Sequence, residues 1–236
     1  MNQWNQLADT FGCAWDGNII PDCAADNICV AWPSILKCIE KEIPESNGYK
    51  ALDFGCGGGL FCKKLSQHGF NVTGYDQSTE LVNSAKCNTP SDVSVTSSNS
   101  VMVENGGYDL ISSIMVLQFI DDIAPVIDSI LSVLNPKGLI VFAVFNPKFI
   151  EDNSNSSVFS GFESYRSGYM ELKEGIKIPV YNRSESEYRE IFESRGLEEV
   201  YLDHPIFTKE FLSEYEMPFS TTYSEYQIQG FRHKST

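Results

Sequence analysis

Leu52-Asp53-Phe54-Gly55-Cys56-Gly57-Gly58-Gly59 decides how this chain is read. The apolar run Lys50 to Phe54 leads into it, and the helical pattern Leu60 to His68 follows. The glycines therefore sit where a strand gives way to a helix. Glycine there lets the backbone approach a ligand closely and adopt positive φ. The dinucleotide spacing G-x-G-x-x-G would need glycine at 60 or 62, where Leu60 and Cys62 stand. The spacing Asp-x-Gly-x-Gly-x-Gly fits directly, as Asp53, Gly55, Gly57 and Gly59. Asp76 follows 17 residues after Gly59, at the end of the expected strand Asn71 to Tyr75. A carboxylate in that place accepts two hydrogen bonds from a ribose diol and repels a 2′-phosphate.

Outward from this loop the chain alternates strand and helix patterns. Ser78 suits the cap of a helix over 79–87. Residues 92–96 alternate as a strand, Asn105-Gly106-Gly107 marks a turn, and Tyr108 to Ser113 is the next strand. A helix is expected over 122–134, with Asp122 as its cap rather than half of a metal pair with Asp121. Asn135-Pro136-Lys137-Gly138 suggests a type II turn. The continuous apolar run Leu139 to Phe145 suits a strand covered on both faces. Ser184-x-x-Glu187 is a capping box opening a helix that ends before Gly196, and 197–203 is a strand. The last strand, Tyr223 to Phe231, is polar at alternate positions and so is expected to be antiparallel or at an edge.

Two segments interrupt the rhythm. Residues 3–16 place Trp4, Leu7, Phe11 and Trp15 at helical spacing, and 27–43 reads as a helix capped by Asn27 with a kink or break at Pro33. Residues 148–182 carry a serine- and asparagine-rich stretch followed by Phe159, Phe162, Tyr165 and Tyr169, read as a partly mobile insertion with aromatic anchors. The alternation predicts an α/β chain with right-handed crossovers. The expected architecture is a Rossmann-like, seven-stranded, mostly parallel sheet with an antiparallel last strand and helices on both faces. Residues 1–236 form a single domain in this reading, with a helical lid over 1–45 and the insertion after strand five.

Composition sets outer bounds. The 236 residues are 42% apolar and carry a formal charge of −15. That charge disfavours nucleic acid and anionic membrane, which need a basic face. No run approaches 18 apolar residues, and the first residues lack a signal peptide's order of basic then apolar positions. Seven cysteines with no Cys-x-x-Cys pair read as free thiols in a reducing cytoplasm, and no metal site is expected. Oligomeric state is not readable.

Asp53 through Gly59, Val72-Thr73-Gly74-Tyr75-Asp76-Gln77-Ser78, Tyr108 to Ile111 with Val116 to Ile120, and Leu134 to Gly138 together resemble the class I S-adenosylmethionine-dependent methyltransferases. The resemblance runs from about residue 48 to 146. It implies S-adenosylmethionine as cofactor and assigns residues to it. Asp53 would hold the loop or the methionine ammonium, and Gly55, Gly57 and Gly59 would line the methionyl and ribose portions. Asp76 would bind the ribose hydroxyls, with Gln77 beside the adenine. Ser97 and Ser98 stand after the third strand, where the family often has an aspartate, and Ile114 at the end of the fourth strand joins the set. Phe119 replaces a histidine of many relatives and leaves an apolar wall.

His204 follows the strand 197–203 directly, where open α/β sheets bind ligands, and is the candidate catalytic and substrate-lining residue. Trp15, Tyr165, Arg166 and Tyr169 are the further substrate-binding candidates; each also suits plain packing. Methyl transfer displaces a neutral thioether, so positioning and water exclusion do most of the work, and a base is needed only where the nucleophile must lose a proton. The expected activity is O- or N-methylation of a small molecule. Two alternatives are kept: self-reaction of the cofactor by cyclisation or elimination, and a silent cofactor-binding partner subunit. A protein-methylating enzyme is a lesser option.

Overall fold

The structure is a computed structural model and describes residues 3–15, 17, 19–163 and 166–234. Two short helices, α1 (Gln3–Gln6) and α2 (Ala8–Phe11), replace the expected continuous helix over 3–16. A five-residue π-helical turn, Asn27–Ala31, then runs into α3 (Trp32–Glu42). Pro33 lies in the first turn of α3, and the helical run is irregular just before it, where the π-helical turn Asn27–Ala31 widens the backbone spacing; the expected break does not occur. The capping carboxylate is Asp26, not Asn27: its Oδ1 accepts the Asn27 N–H at 2.7 Å.

The central sheet is built from β1 (Lys50–Phe54), β2 (Asn71–Tyr75), β3 (Ser94–Thr96), β4 (Tyr108–Ile114), β5 (Leu134–Phe145), β9 (Leu197–Asp203) and β10 (Tyr226–His233). The order is β3-β2-β1-β4-β5-β10-β9, and β10 runs opposite to the other six strands. Helices α4 (Leu60–Gln67), α5 (Thr79–Asn88), α6 (Asn99–Glu104) and α7 (Ala124–Leu131) make the crossovers. Helix α6 escaped the sequence reading; it is a short segment with one buried residue, Met102, and so little periodicity. Ser78 caps α5 through Leu81 N–H at 3.2 Å, and Asp122 accepts the Ala124 N–H at 3.1 Å.

Strand β5 explains the core. Leu139, Val141 and Ala143 pack into the cluster that holds Ile35, Cys38 and Leu65. Ile140, Phe142 and Val144 pack into the opposite cluster with Ile127, Ile130, Tyr188 and Phe192. Side chains alternate along a strand, so an unbroken apolar run fills both faces. Each fully buried large side chain contributes roughly 1.5–3 kcal/mol. Asn135 to Gly138 makes no type II turn. Neither Lys137 nor Gly138 takes positive φ, and the four residues continue β5 through an irregularity in its pairing with β4.

Strand β10 is central rather than at the edge, which β9 occupies. Its alternate polar residues face a buried network instead of solvent. Gln227 Nε2 donates to Gln229 Oε1 at 3.0 Å, and Gln229 Nε2 donates to Glu199 Oε1 at 2.6 Å. Arg189 closes the network on Glu199 from α9 (Glu185–Glu193), whose first turn is the expected Ser184–Glu187 capping box.

The described residues after β5 form regular elements. Helix α8 (Pro147–Asn153) precedes a small antiparallel sheet of β6 (Phe159–Ser160), β7 (Ser167–Lys173) and β8 (Ile176–Tyr181). Phe159 and Phe162 join Phe145, Phe149 and Val180 in a third buried cluster that fixes this sheet to the end of β5. A last short helix, α10 (Lys209–Glu214), leads toward β10. No helix of the described residues is long and apolar enough to cross a membrane.

Candidate functional site

Beyond the carboxyl ends of β1, β2, β4 and β5 lies a cavity of about 530 Å³, within the usual ligand-pocket range of roughly 300–1,000 Å³. Asp53, Gly55, Gly57, Asp76, Gln77 and Ile114 all line it. Gly55 has φ +79°, and a Cβ there would sit 2.2 Å from Val116 Cγ2, so only glycine permits this loop. Asp76 organises the loop's far side: its Oδ2 accepts the Gly57 N–H at 2.9 Å and its Oδ1 accepts the Ser78 N–H at 2.8 Å.

Asp53 is buried and bridged by Ser112 Oγ at 2.8 Å and Cys62 Sγ at 3.4 Å. Burial lifts its pKa to about 6, opposed by those two donors and aided by repulsion from Asp76. A carboxylate in this condition gains from a cation that replaces its lost water.

The wall opposite is aromatic. The Trp4 ring lies 5.0 Å from Phe119, and Phe119 lies 6.3 Å edge-on to Phe145. Met115 carries positive φ (56°), a conformation rare outside glycine, as β4 gives way to the turn Leu117–Phe119. Backbone strain of this kind concentrates at functional sites. Arg183 holds the turn: its guanidinium donates to Ile120 O at 2.8 Å and to Asp121 O, and stacks 5.7 Å from Tyr181. Nothing local in the sequence marks Met115 or Arg183.

The N-terminal segment is strapped across the glycine loop. Asn88 Nδ2 donates to Gly58 O at 2.9 Å and to Cys13 O at 3.1 Å. Lys63 Nζ donates to Trp15 O at 2.9 Å. Cys13 and Cys23 line the cavity with sulfurs 2.6 Å apart, and the Cys23 thiol lowers Cys13 to about 7.

Several expected site residues stand elsewhere. Gly59 is outside the cavity wall and serves helix packing; its φ is +81° and a Cβ would press on Ala85 and Thr89. Ser97 is exposed, and Ser98 begins α6, its hydroxyl paired with Ser100 at 2.8 Å. β3 is too short to carry them inward. Trp15 packs on Trp32 at 6.1 Å, behind the cavity. Tyr169 is half exposed because β7 alternates: Met170 and Leu172 take the cavity face. Arg166 pairs with Glu187 at 2.7 Å on the surface, and Tyr165 lies outside the described residues. His204 does not reach the cavity. It follows the edge strand, and its Nε2 lies 3.0 Å from Glu185 Oε1. The cavity's remaining charges are Asp26 and Glu225, which the sequence reading had not singled out.

Comparison with known proteins sets this geometry in context. Residues 31–202 match the family described as methyltransferase domain. A ubiquinone biosynthesis O-methyltransferase of Colwellia psychrerythraea is 33% identical over 113 residues, which cover 44% of this chain and 46% of the relative. The chain thus spans about half the length of the curated relatives it matches. A Mesorhizobium loti S-adenosylmethionine dependent methyltransferase superposes with TM-score 0.64 at 19% identity, covering 89% of this chain and 98% of that one. Magnesium protoporphyrin IX methyltransferase of Synechocystis PCC 6803, solved with bound S-adenosylmethionine, superposes with TM-score 0.60 at 15% identity, covering 99% and 98%.

Proposed function

Because the chain belongs to the methyltransferase-domain family, we propose that it transfers the methyl of S-adenosylmethionine to an oxygen or nitrogen of a small-molecule acceptor. The observation that carries this reading is the convergence of Asp53, Gly55, Gly57 and Asp76 on one cavity. Relatives named as ubiquinone biosynthesis O-methyltransferases support the acceptor's small size. The charge of −15 speaks against a nucleic-acid acceptor. The free thiols fit a reducing cytoplasm, the one continuous seven-stranded sheet fits a single domain, and the ties from Asn88 and Lys63 to the N-terminal segment fit a lid role for residues 1–45.

The cavity fits the cofactor. Over Gly57 nothing lies within 4 Å of where a Cβ would stand, so the backbone is open to a ligand. S-adenosylmethionine supplies, when bound, a methyl already activated by its sulfonium. Asp53 balances the methionine ammonium, Asp76 accepts ribose hydroxyls, Gln77 borders the adenine, and Ile114 lines the same cavity at the end of β4. Trp4, Phe119 and Phe145 exclude water and offer ring faces to positive charge.

Titration calorimetry tests the reading. S-adenosylmethionine and its demethylated product bind wild-type protein, and Asp76→Ala weakens both. Absence of any heat from either compound on folded wild-type protein overturns the reading. Incubation of the cofactor without an acceptor yields no methylthioadenosine if the methyl passes only to a second substrate.

A further inference from the structure

Resting on that reading, we infer that the acceptor carries a protonated amine, held at the Asp26 and Glu225 end of the cavity. Asp26 stands at the start of the π-helical turn Asn27–Ala31, an irregularity that recurs at functional sites. Glu225 stands just before β10, where its carbonyl accepts the Asn146 N–H at 2.8 Å. Two distant parts of the chain thus bring two carboxylates to one cavity wall, close enough to repel each other.

Two oxygens at this end lack a donor, and the buried Tyr226 hydroxyl beside Asp26 is also without a hydrogen-bond partner. Glu225 is only 2% exposed, and its Oε2 meets no hydrogen-bond donor. Asn27 Oδ1, on the same wall, is buried and equally without a donor. Asp26 Oδ1 receives the Asn27 N–H at 2.7 Å. No ion pair among the described residues involves Asp26 or Glu225. Trp32, Ala24 and Phe145 line the same cavity and supply no compensating charge.

A buried group left without its partner is costly, so a ligand that supplies the missing partner gains what the protein lacks. An ammonium brings three donors and the balancing charge. A hydroxyl brings one donor and no charge. A carboxylate brings neither and adds repulsion. Burial holds both Asp26 and Glu225 above the ordinary carboxylate range, which a bound cation reverses.

The test is calorimetry with three probes of one shape: phenethylamine, 2-phenylethanol and 3-phenylpropionate. Their common phenyl group suits the Trp4, Phe119 and Phe145 wall. Each is titrated into protein saturated with S-adenosylhomocysteine, whose own titration reports separately on the methyltransferase reading. The amine is expected to bind at least tenfold more tightly than the alcohol, with the acid weakest. Glu225→Gln removes that preference while keeping side-chain shape, and Asp26→Asn reduces it. An amine that binds no better than the alcohol overturns the inference, as does failure of the amine to bind. A preference that survives both substitutions overturns it too. Should S-adenosylhomocysteine bind normally in those cases, the methyltransferase reading still stands.

Discussion

Gly57 donates its backbone N–H to Asp76 Oδ2 at 2.9 Å. The other oxygen of the same carboxylate takes the Ser78 N–H at 2.8 Å, so one side chain ties the glycine loop to the start of α5. The protein itself therefore holds Asp76 in place before any ribose arrives. Asp76→Ala removes two charge-assisted bonds and is expected to cost roughly 3 kcal/mol of stability. It should also weaken S-adenosylhomocysteine at least tenfold. Thermal melting and calorimetry on the same preparation check both effects.

The loop glycines separate folding from binding. At Gly55 an added methyl collides with Val116, so Gly55→Ala is expected to lower the melting temperature markedly. At Gly57, φ is +52° and the space is open. Gly57→Ala should therefore cost only the backbone strain, about 1–2 kcal/mol, and leave a folded protein. Its methyl projects over the proposed ligand path, so cofactor binding falls sharply in a protein that still melts cooperatively. Similar melting losses for the two variants would contradict this division.

How far the sequence could be read follows from which features are local. The β1 to α4 turn, Asp76 and the Ser184–Glu187 capping box declare themselves within a few residues, and the structure has them where expected. The two-faced burial of Leu139 to Phe145 was equally legible, because no polar residue interrupts the run. The small sheet β6-β7-β8 was not: its first strand has two residues, and the Glu174-Gly175 turn that closes the β7–β8 hairpin, with Lys173 paired to Ile176 and Gly175 at φ +78°, was a local signal passed over beside the aromatic residues. Alternating polarity in β10 pointed to an antiparallel or an edge strand; it is antiparallel but not at the edge, since a buried glutamine network cannot be told from solvent exposure by pattern alone. His204 was misplaced for a related reason. A strand's end can be read from sequence, but its position in the sheet order cannot, and β9 lies at the rim. Glu225 and Asp26 are nearly 200 residues apart and meet only in the folded chain.

Cofactor affinity should depend on Asp53. Its folded pKa is raised to about 6 by burial, with Ser112 and Cys62 donating to it and Asp76 repelling it. A ligand ammonium binds the ionised form, so affinity is complete above that pKa and falls as pH drops through it. Between about pH 7 and pH 5 the dissociation constant of S-adenosylmethionine should rise several-fold, while an α-amino group stays protonated below about 7.7. Asp53→Asn binds weakly and shows no such slope. A flat profile in wild-type protein would remove Asp53 from the ammonium site.

Glu225 predicts an unusual stability profile for the ligand-free protein. Its folded pKa lies well above the ordinary glutamate value because of burial and the nearby Asp26. A raised folded pKa stabilises fully below the unfolded value, and that contribution is lost as pH rises through the folded one. Asp26, Asp53 and Asp76 are shifted in the same direction. Glu187, held by Arg166 and the Ser184 N–H, is shifted oppositely and matters only at lower pH. The melting temperature should therefore fall as pH rises above the ordinary carboxylate range, and Glu225→Gln should flatten the decline.

The N-terminal strap offers a kinetic prediction. All three tryptophans, Trp4, Trp15 and Trp32, lie in or against the segment that crosses the cavity, so tryptophan fluorescence is sensitive to its displacement. Asn88 is its central tie, joining Gly58 and Cys13 through one amide. Asn88→Ala removes those bonds while leaving the cavity's lining unchanged, at a cost of about 1 kcal/mol each. The dissociation rate of S-adenosylhomocysteine, followed by stopped-flow fluorescence, should rise about tenfold if opening the strap limits release. The association rate should change less, because affinity differences among variants of one site reside mainly in dissociation. An unchanged dissociation rate would mean that the ligand leaves without displacing residues 3–15, and the segment would then be packing rather than a lid.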